Sequence, residues 1–163
     1  MYRVLFVCLG NICRSPLADG VLAYKLEQAG LADQVQVDSC GTGGYHIGEP
    51  PHRESIRVAE QHAVPLAHLR ARQVARADFE TFDRVVAMDR QNRQDLLALE
   101  SSGRFHDKVT LFMDYVPDAP SPDVPDPYFG GPDGFDYVYD LVDTGCETLL
   151  AEIRQSLAGP TRP

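Results

Sequence analysis

Apolar residues along this chain form two kinds of segment, short continuous runs and longer stripes with helical spacing. The short runs are rich in Val, Leu and Phe and predict buried strands at residues 4–7, 35–37, 84–88 and 109–113. Stripes at steps of three and four residues predict helices at residues 18–29, 52–62, 90–99 and 138–157. Gly30 and Gly159 follow the first and last of these stripes and are typical of helix ends.

The alternation of strands and helices predicts an α/β fold. We expect a single-domain, doubly wound sheet of four parallel strands with helices on both faces. The domain should span residues 1–158, with residues 159–163 as a flexible C-terminal tail. Residues 115–134 are rich in Pro, Asp and Gly and are predicted to form a functional loop. Ligands of such sheets bind beyond the carboxyl ends of the strands, and Cys8 lies at one of these ends.

The segment Cys8-Leu9-Gly10-Asn11-Ile12-Cys13-Arg14-Ser15 joins the first predicted strand to the first predicted helix. Backbone N–H groups in such a loop, together with the dipole of the helix, favour an anion. The same field favours a thiolate over a thiol, so the loop can hold a phosphate and also activate the Cys8 sulfur. Gly10 and Asn11 tolerate a positive φ, and Ser15-Pro16 is typical of a helix start. A phosphate-binding loop after the first strand is therefore predicted.

Composition excludes several classes of protein. A net charge of −9 over 163 residues argues against a nucleic-acid partner, which needs a basic surface. It does not argue against a phosphate ligand, because charges beyond a Debye length of about 8 Å are largely screened. The cysteines and the scattered histidines have no metal-ligand or disulfide-framework spacing, so no metal and no cofactor are predicted. A reduced, cytoplasmic setting is expected. No segment is long enough to span a membrane, and no membrane partner is predicted.

Two separated motifs resemble those of one enzyme family. Residues 8–15 look like the phosphate-binding loop of the low-molecular-weight protein tyrosine phosphatases, and Asp126-Pro127-Tyr128-Phe129-Gly130 looks like that family's late Asp-Pro-Tyr motif. Ser39-Cys40-Gly41-Thr42 and Ala71-Arg72-Gln73 are similar to family segments between them. The resemblance covers nearly the whole chain. It implies hydrolysis of phosphotyrosine through a cysteinyl phosphate, without a metal. The implied partners are phosphotyrosine-containing proteins, tyrosine kinases among them, and inorganic phosphate as product or inhibitor.

Three residues are predicted to be catalytic. Cys8 is the expected nucleophile, and Arg14 offers a planar fork that can bind two phosphate oxygens at once. A general acid must protonate the phenolate leaving group, whose pKa is about 10. The sequence leaves five carboxylates open for that role, namely Asp114, Asp118, Asp123, Asp126 and Asp133. Only the resemblance to the family motif singles out Asp126, which would later accept a proton from the attacking water.

Further loop residues are expected to bind the phosphate or to hold the shape of the loop. They are Leu9, Gly10, Asn11, Ile12, Cys13 and Ser15. Ser15 could be only a helix cap, and the resemblance implies that its hydroxyl also bonds the Cys8 sulfur. Two interpretations of Cys13 stay open. It is either a small buried apolar residue or, as the family implies, the partner of Cys8 in a reversible disulfide.

The walls of the predicted cleft are aromatic, with Tyr45 on one side and Tyr128 and Phe129 on the other. One position departs from the family pattern. The family often has His immediately before the x-Ala-Arg-Gln stretch, where it braces the phosphate-binding loop. This chain has Leu69 there and His68 one place earlier, so the resemblance does not extend to that brace.

Three other functions compete with a tyrosine phosphatase. Protein arginine phosphatases resemble this chain but tend to carry Thr where Ile12 stands, so Ile12 favours phosphotyrosine. An arsenate reductase of the same fold needs a Cys pair near the third strand and its following helix, and residues 78–100 contain no Cys. A non-enzymatic oxyanion-binding module has no need of both the Cys8 thiol and the Asp126 acid.

Overall fold

The centre of the molecule is a sheet of four parallel strands. They are β1 (Tyr2–Cys8), β2 (Val35–Gly41), β3 (Arg84–Ala87) and β4 (Val109–Leu111). Their order in the sheet is β2-β1-β3-β4. The computed structural model describes residues 1–128 and 130–159. The predicted site residue Phe129 and residues 160–163 of the predicted tail lie outside the described residues.

Helices cover both faces of this sheet. They are α1 (Arg14–Gln28), α2 (Arg53–Glu60), α3 (Asp78–Thr81), α4 (Arg90–Leu99) and α5 (Pro132–Leu157). Successive side chains of a strand point to opposite faces. Val4 and Phe6 of β1 therefore share one hydrophobic cluster with α1, α2 and α5, whereas Leu5 and Val7 share another with α3 and α4. The predicted α/β fold with four parallel strands and helices on both faces is confirmed.

Several boundaries differ from the predicted ones. α1 begins at Arg14 and α5 at Pro132, before the predicted apolar stripes and, for α5, inside the predicted loop, and β2 continues to Gly41. The fourth strand ends at Leu111 because Phe112–Tyr115 forms a short 3-10 turn, closed by a bond of 3.1 Å from the Leu111 N–H to the Asp114 carboxylate. The four-residue helix α3 was not predicted, since one turn is too short to show apolar periodicity. In the described residues, no helix is both long and apolar enough to cross a membrane.

The strand order determines where a ligand can bind. β1 lies between β2 and β3, and Cys8 pairs in register with Gly41 while Val7 pairs with Ala87. The chain leaves β1 towards α1, so the loop after Cys8 lies in the crevice between two neighbouring strands. Open parallel sheets bind ligands in this kind of crevice, at the carboxyl ends of their strands. The fold thus places the predicted phosphate-binding loop at the natural ligand position of the sheet.

Candidate active site

The loop between β1 and α1 curls around the sulfur of Cys8. The Asn11 N–H points at that sulfur from 3.3 Å, and the Ser15 hydroxyl oxygen lies 3.0 Å from it. Asn11 has a φ of 58°, a left-handed conformation that few residues other than Gly adopt. The backbone reversal brings both groups to the same atom. Both are positioned to stabilise a negative charge on the sulfur.

The carbonyl groups of the loop bond outward to the surrounding scaffold. The Cys8 and Leu9 oxygens accept bonds of 2.9 Å from the N–H groups of Thr42 and Gly43, and the Ile12 oxygen accepts a bond of 2.7 Å from the His52 N–H. In a trans peptide the next N–H points the opposite way from the carbonyl. The N–H groups that follow these carbonyls are therefore directed away from the scaffold, which is the arrangement that an oxyanion requires.

β2 approaches the loop so closely that only Gly fits at position 41. A Cβ atom there would lie 2.6 Å from the Leu9 oxygen. The Gly41 N–H donates to the Arg72 oxygen, and the Gly41 oxygen accepts a bond from the Val74 N–H. These two bonds hold the segment around Gln73 beside the loop. The similarity of residues 39–42 and 71–73 to family segments thus corresponds to two strips of backbone packed against the phosphate-binding loop.

The Asn11 carboxamide braces the loop from inside. Its Nδ2 donates to Ser15 Oγ at 2.8 Å and to Ser39 Oγ at 3.0 Å, and its Oδ1 accepts from the Arg72 N–H at 3.0 Å. The Asn11 side chain is buried, so each of these bonds is protected from water. Leu69, in contrast, packs half-buried against the hydrophobic core. In this chain the brace comes from Ser39 and the Arg72 backbone, together with the first turn of α1.

Arg14 opens α1 and is buried against two anions. One end of its guanidinium donates to Asp89 Oδ2 and to the Val124 oxygen, both at 2.8 Å. The other end lies 3.8 Å from Asp126 Oδ2. Burial alone would lower the pKa of Arg14, but the charges of Cys8, Asp89 and Asp126 outweigh it and raise the pKa. Arg14 therefore stays charged at the wall of the pocket.

Asp89 is a functional residue that the sequence analysis did not identify. It follows β3 by two residues and caps α4 by accepting a bond of 2.7 Å from the Asn92 N–H. Its second oxygen orients the Arg14 guanidinium. The sequence did contain an indication of this position, since an acidic residue just after a buried strand lies at the same sheet edge as Cys8. Sequence alone could not distinguish that role from helix capping.

Of the five candidate acids, the structure brings Asp126 into the pocket with Cys8. Its Oδ1 accepts a bond of 3.0 Å from the Tyr128 N–H, which fixes the carboxylate in a turn. Asp123 is engaged elsewhere. Its hydrogen bonds from the Arg90 side chain and backbone hold the pKa of that carboxyl below its usual range, so it is a poor proton donor near neutral pH.

The pocket above Cys8 has a volume of about 250 Å³. Tyr45 and Tyr128 both line it, and Tyr45 is largely exposed at the rim. His46 also lines it and was not expected there. Its Nδ1 lies 2.7 Å from a Glu49 carboxylate oxygen, which orients the ring. A narrow cleft with aromatic walls and an anion-binding floor fits a phosphorylated aromatic ring.

His52 supports the cleft from behind. Its ring lies 4.9 Å from the Phe135 ring and 5.9 Å from the Tyr128 ring, centre to centre. Its Nδ1 accepts a bond from the Glu54 N–H at the start of α2. Partial burial lowers the pKa of His52, which favours the neutral ring that this bond needs. Because it caps α2 and packs against Tyr128, His52 is a supporting residue.

The four cysteines are unpaired in the structure and have different environments. Cys13 lines the pocket, but burial and the charges of Cys8 and Asp126 raise its pKa to about 12, against a smaller lowering by Arg14. Burial also raises the pKa of Cys40 and Cys146. Both side chains pack inside the hydrophobic clusters, Cys146 in the first and Cys40 in the second, which indicates a structural role. Within residues 1–128 and 130–159, no group of three His, Cys, Asp or Glu side chains is arranged to hold a metal ion.

Comparisons with known proteins agree with this geometry. Residues 3–158 match the family described as low molecular weight phosphotyrosine protein phosphatase. The low molecular weight protein-tyrosine-phosphatase YfkJ of Bacillus subtilis is 41% identical over 157 residues, covering 95% of this chain and 97% of that protein. Its crystal structure superposes with a TM-score of 0.88 over 96% of each chain.

Two further solved structures extend the comparison. A protein tyrosine phosphatase from Entamoeba histolytica, with Hepes in its active site, has a TM-score of 0.90 at 33% identity, covering 96% of this chain and 99% of that one. A Drosophila arginine phosphatase has a TM-score of 0.85 at 30% identity, covering 92% of this chain and 96% of its own. The fold is therefore shared by enzymes described with two different phosphorylated substrates.

The environments of the thiols predict a selective chemical modification. Near pH 7, a brief exposure of the folded protein to iodoacetamide should alkylate Cys8, because its sulfur lines the open pocket with the Asn11 N–H and the Ser15 hydroxyl beside it. Cys13, Cys40 and Cys146 should stay unmodified, because burial raises their pKa and keeps them protonated. Peptide mass spectrometry identifies the modified residue.

The Cys8→Ser variant is the matched control and should take up no label while folded. The unfolded protein should be labelled at every cysteine. Labelling of Cys13 in the folded protein as fast as Cys8 would contradict the assignment of the reactive thiol.

Proposed function

The chain belongs to the low molecular weight phosphotyrosine protein phosphatase family, and we propose that Cys8, Arg14 and Asp126 perform its chemistry. It is a protein-tyrosine phosphatase, a hydrolase of a class that needs no metal. The observation that carries the proposal is the shared pocket, where the Cys8 sulfur faces the loop donors and the Arg14 guanidinium and Asp126 carboxyl line the same cavity.

In the first step the Cys8 thiolate attacks phosphorus, and an S–P bond forms as the P–O bond to the tyrosine ring breaks. The developing phenolate takes a proton from the Asp126 carboxyl, so that neutral tyrosine leaves. The charge on the equatorial oxygens is stabilised by the N–H groups of residues 9–14 and by the Arg14 fork. Ser15 supports the attack by holding the sulfur in place at 3.0 Å.

In the second step water attacks phosphorus and gives its proton to the Asp126 carboxylate. The S–P bond breaks, and the Cys8 thiolate and inorganic phosphate are regenerated. The Ser15 hydroxyl and the Asn11 N–H stabilise the departing thiolate, because both lie within hydrogen-bond distance of the sulfur. Inorganic phosphate is the product and would also inhibit by occupying the loop.

The walls of the pocket support an aryl phosphate as substrate. Tyr45 and Tyr128 offer flat apolar surfaces on which a substrate ring could stack. Phosphotyrosine-containing proteins are the proposed partners, and tyrosine kinases are candidates among them. A reducing, cytoplasmic setting would keep the Cys8 thiolate active.

Arginine phosphatase activity is the second candidate, because one structural neighbour is described as an arginine phosphatase. Ile12 is the residue that argues against it. Its apolar side chain lines the pocket beside Cys8, where a small polar residue would leave more room for a different substrate. The absence of Cys from residues 78–100 argues against an arsenate reductase.

A direct comparison of substrates tests the proposed reaction. Phosphate release should be measured from a phosphotyrosine peptide and a phosphoarginine peptide of the same sequence, in reducing buffer containing a chelator. We expect selective hydrolysis of phosphotyrosine by the wild type and no steady turnover by Cys8→Ser, which should still bind phosphate. A preference for phosphoarginine would overturn the substrate assignment, and turnover by Cys8→Ser would overturn the covalent mechanism.

The role of Asp126 is tested by varying the leaving group. Asp126→Asn should slow hydrolysis of phenyl phosphate by about 10²- to 10⁴-fold, because phenolate leaves poorly without a proton. Asp126→Asn should slow the leaving-group step far less with p-nitrophenyl phosphate than with phenyl phosphate. Asp123→Asn is the matched control and should change both rates by less than about twofold, since Asp123 bonds to Arg90 at the start of α4 and does not line the pocket. An equal loss with both substrates would show that Asp126 is not the acid.

A further inference from the structure

Most of the exposed large hydrophobic side chains lie around the mouth of the substrate pocket. In the described part of the chain there are six of them, and three, Leu9, Tyr45 and Tyr128, line the pocket. A fourth, Ile47, lies outside the pocket in the turn that carries Tyr45, and 61% of its surface is exposed. Single exposed apolar residues are ordinary, whereas a group of them marks an interaction surface. The proposed mechanism gives Ile47 no role.

Two glycines hold the side chains of Tyr45 and Ile47 in place. A Cβ atom on Gly43 would lie 2.5 Å from the Tyr45 ring, and one on Gly44 would lie 3.1 Å from Ile47 Cδ1. Both side chains therefore pack down on the bare backbone of adjacent residues. Tyr45 and Ile47 together form an apolar shelf that begins at the pocket wall and extends away from it, since Tyr45 lines the pocket and Ile47 does not.

The segment that carries the apolar shelf is bonded to the scaffold on both sides. Before it, the Gly43 N–H donates to the Leu9 oxygen at 2.9 Å. After it, the Gly48 N–H donates to the Ala71 oxygen at 2.8 Å. A surface that is already fixed loses little conformational entropy when a partner binds, which favours binding.

A substrate chain must pass over the rim of the pocket on its way in and out. Successive side chains of an extended segment point to opposite sides, so the residue two positions from the phosphotyrosine faces the same surface, about 7 Å away. Tyr45 and Ile47 are also two residues apart, and at most about 7.6 Å separates their Cα atoms. The apolar shelf is thus continuous with the substrate pocket and within reach of this residue of the substrate.

The charges beside the apolar shelf disfavour an acidic residue at that position. Glu49 follows the turn, and its exposed carboxylate lies 2.7 Å from His46 Nδ1. Gln73 lies with Ile47 over Gly44 and brings a neutral carboxamide to the edge of the shelf. The net charge of −9 gives no long-range attraction for an acidic segment either. An apolar side chain therefore fits the shelf better than a carboxylate.

We propose that the apolar shelf is a docking site for an apolar side chain two residues from the phosphotyrosine, and that Ile47 determines this preference. The proposal rests on the proposed function, because it names the class of phosphotyrosine segment that the same pocket takes. A substrate with Leu at that position would bury it against Tyr45 and Ile47 and gain affinity from the hydrophobic effect. A substrate with Ser or Glu there would not.

The test measures kcat/KM for phosphotyrosine peptides of one sequence. They carry Leu, Ser or Glu either two positions before or two positions after the phosphotyrosine. The wild type is compared with Ile47→Ser, Ile47→Lys and the matched control Tyr137→Ser. Tyr137 is an exposed hydrophobic residue of α5 that does not line the pocket. Circular dichroism confirms that each variant is folded.

At one of the two positions, the wild type and Tyr137→Ser should prefer Leu to Ser by about tenfold, the gain expected from partly burying one apolar side chain. Ile47→Ser should reduce this ratio to about twofold or less, because the buried apolar contact is lost. Ile47→Lys should raise kcat/KM for the Glu peptide relative to the Leu peptide by about tenfold, because an ammonium group then faces the same position. A merely structural role would lower kcat/KM for all peptides alike.

Equal kcat/KM values for the Leu, Ser and Glu peptides in the wild type would overturn the proposal. A preference for Leu that Ile47→Ser keeps would also overturn it. Analytical ultracentrifugation at the assay concentration covers the other occupant. A wild-type dimer that Ile47→Ser dissociates, without any preference among the peptides, would assign the apolar shelf to a second copy of the chain.

The failure of the proposed function can be told apart from the failure of this proposal. If the wild type hydrolyses none of the peptides, the proposed function fails. The affinities of Cys8→Ser for the same peptides, measured with and without Ile47→Ser, then decide the docking site. A preference for Leu in binding that Ile47→Ser removes would support the docking site, and the absence of that preference would overturn it.

Discussion

The buried side chain of Asn11 is the interaction on which the active site depends. Its carboxamide connects Ser15, Ser39 and the Arg72 backbone, which belong to three separate parts of the chain. A left-handed backbone at a residue other than Gly costs on the order of 1–3 kcal/mol, and three buried bonds of about 1 kcal/mol each offset that cost. The loop is thus held in shape before a substrate arrives, which is what electrostatic stabilisation of a transition state requires.

Arg14 explains how an acidic protein can bind a phosphate. The chain carries a net charge of −9, yet most of that charge is screened from the pocket by solvent. Arg14 is buried at the pocket wall, where a lower local dielectric makes its interaction with a phosphate stronger than in bulk water. Asp89 and the Val124 oxygen hold one end of the guanidinium, and the other end faces the side of the pocket where Asp126 lies. The local arrangement of charges therefore determines binding, whereas the net charge does not.

The sequence predicted those parts of the structure that depend on local patterns. The strand before Cys8, the loop at a helix start and the long last helix follow from apolar periodicity and from the loop residues. The choice of Asp126 came from resemblance, and the pocket places that residue beside Cys8. Asp89 and His46 were not predicted as site residues, because their roles arise from contacts between distant segments. The pairing of Asp89 with Arg14 leaves no pattern along the chain.

Capture of the covalent intermediate tests the account most directly. The wild type would be mixed with a phosphotyrosine peptide, denatured within one turnover, and digested for mass spectrometry, with Cys8→Ser treated in parallel. A phosphoryl group on the peptide that carries Cys8, present only in the wild type, is the predicted result. A phosphoryl group on another residue would contradict the account, because it would mean that the loop around Asn11 is built for a different nucleophile.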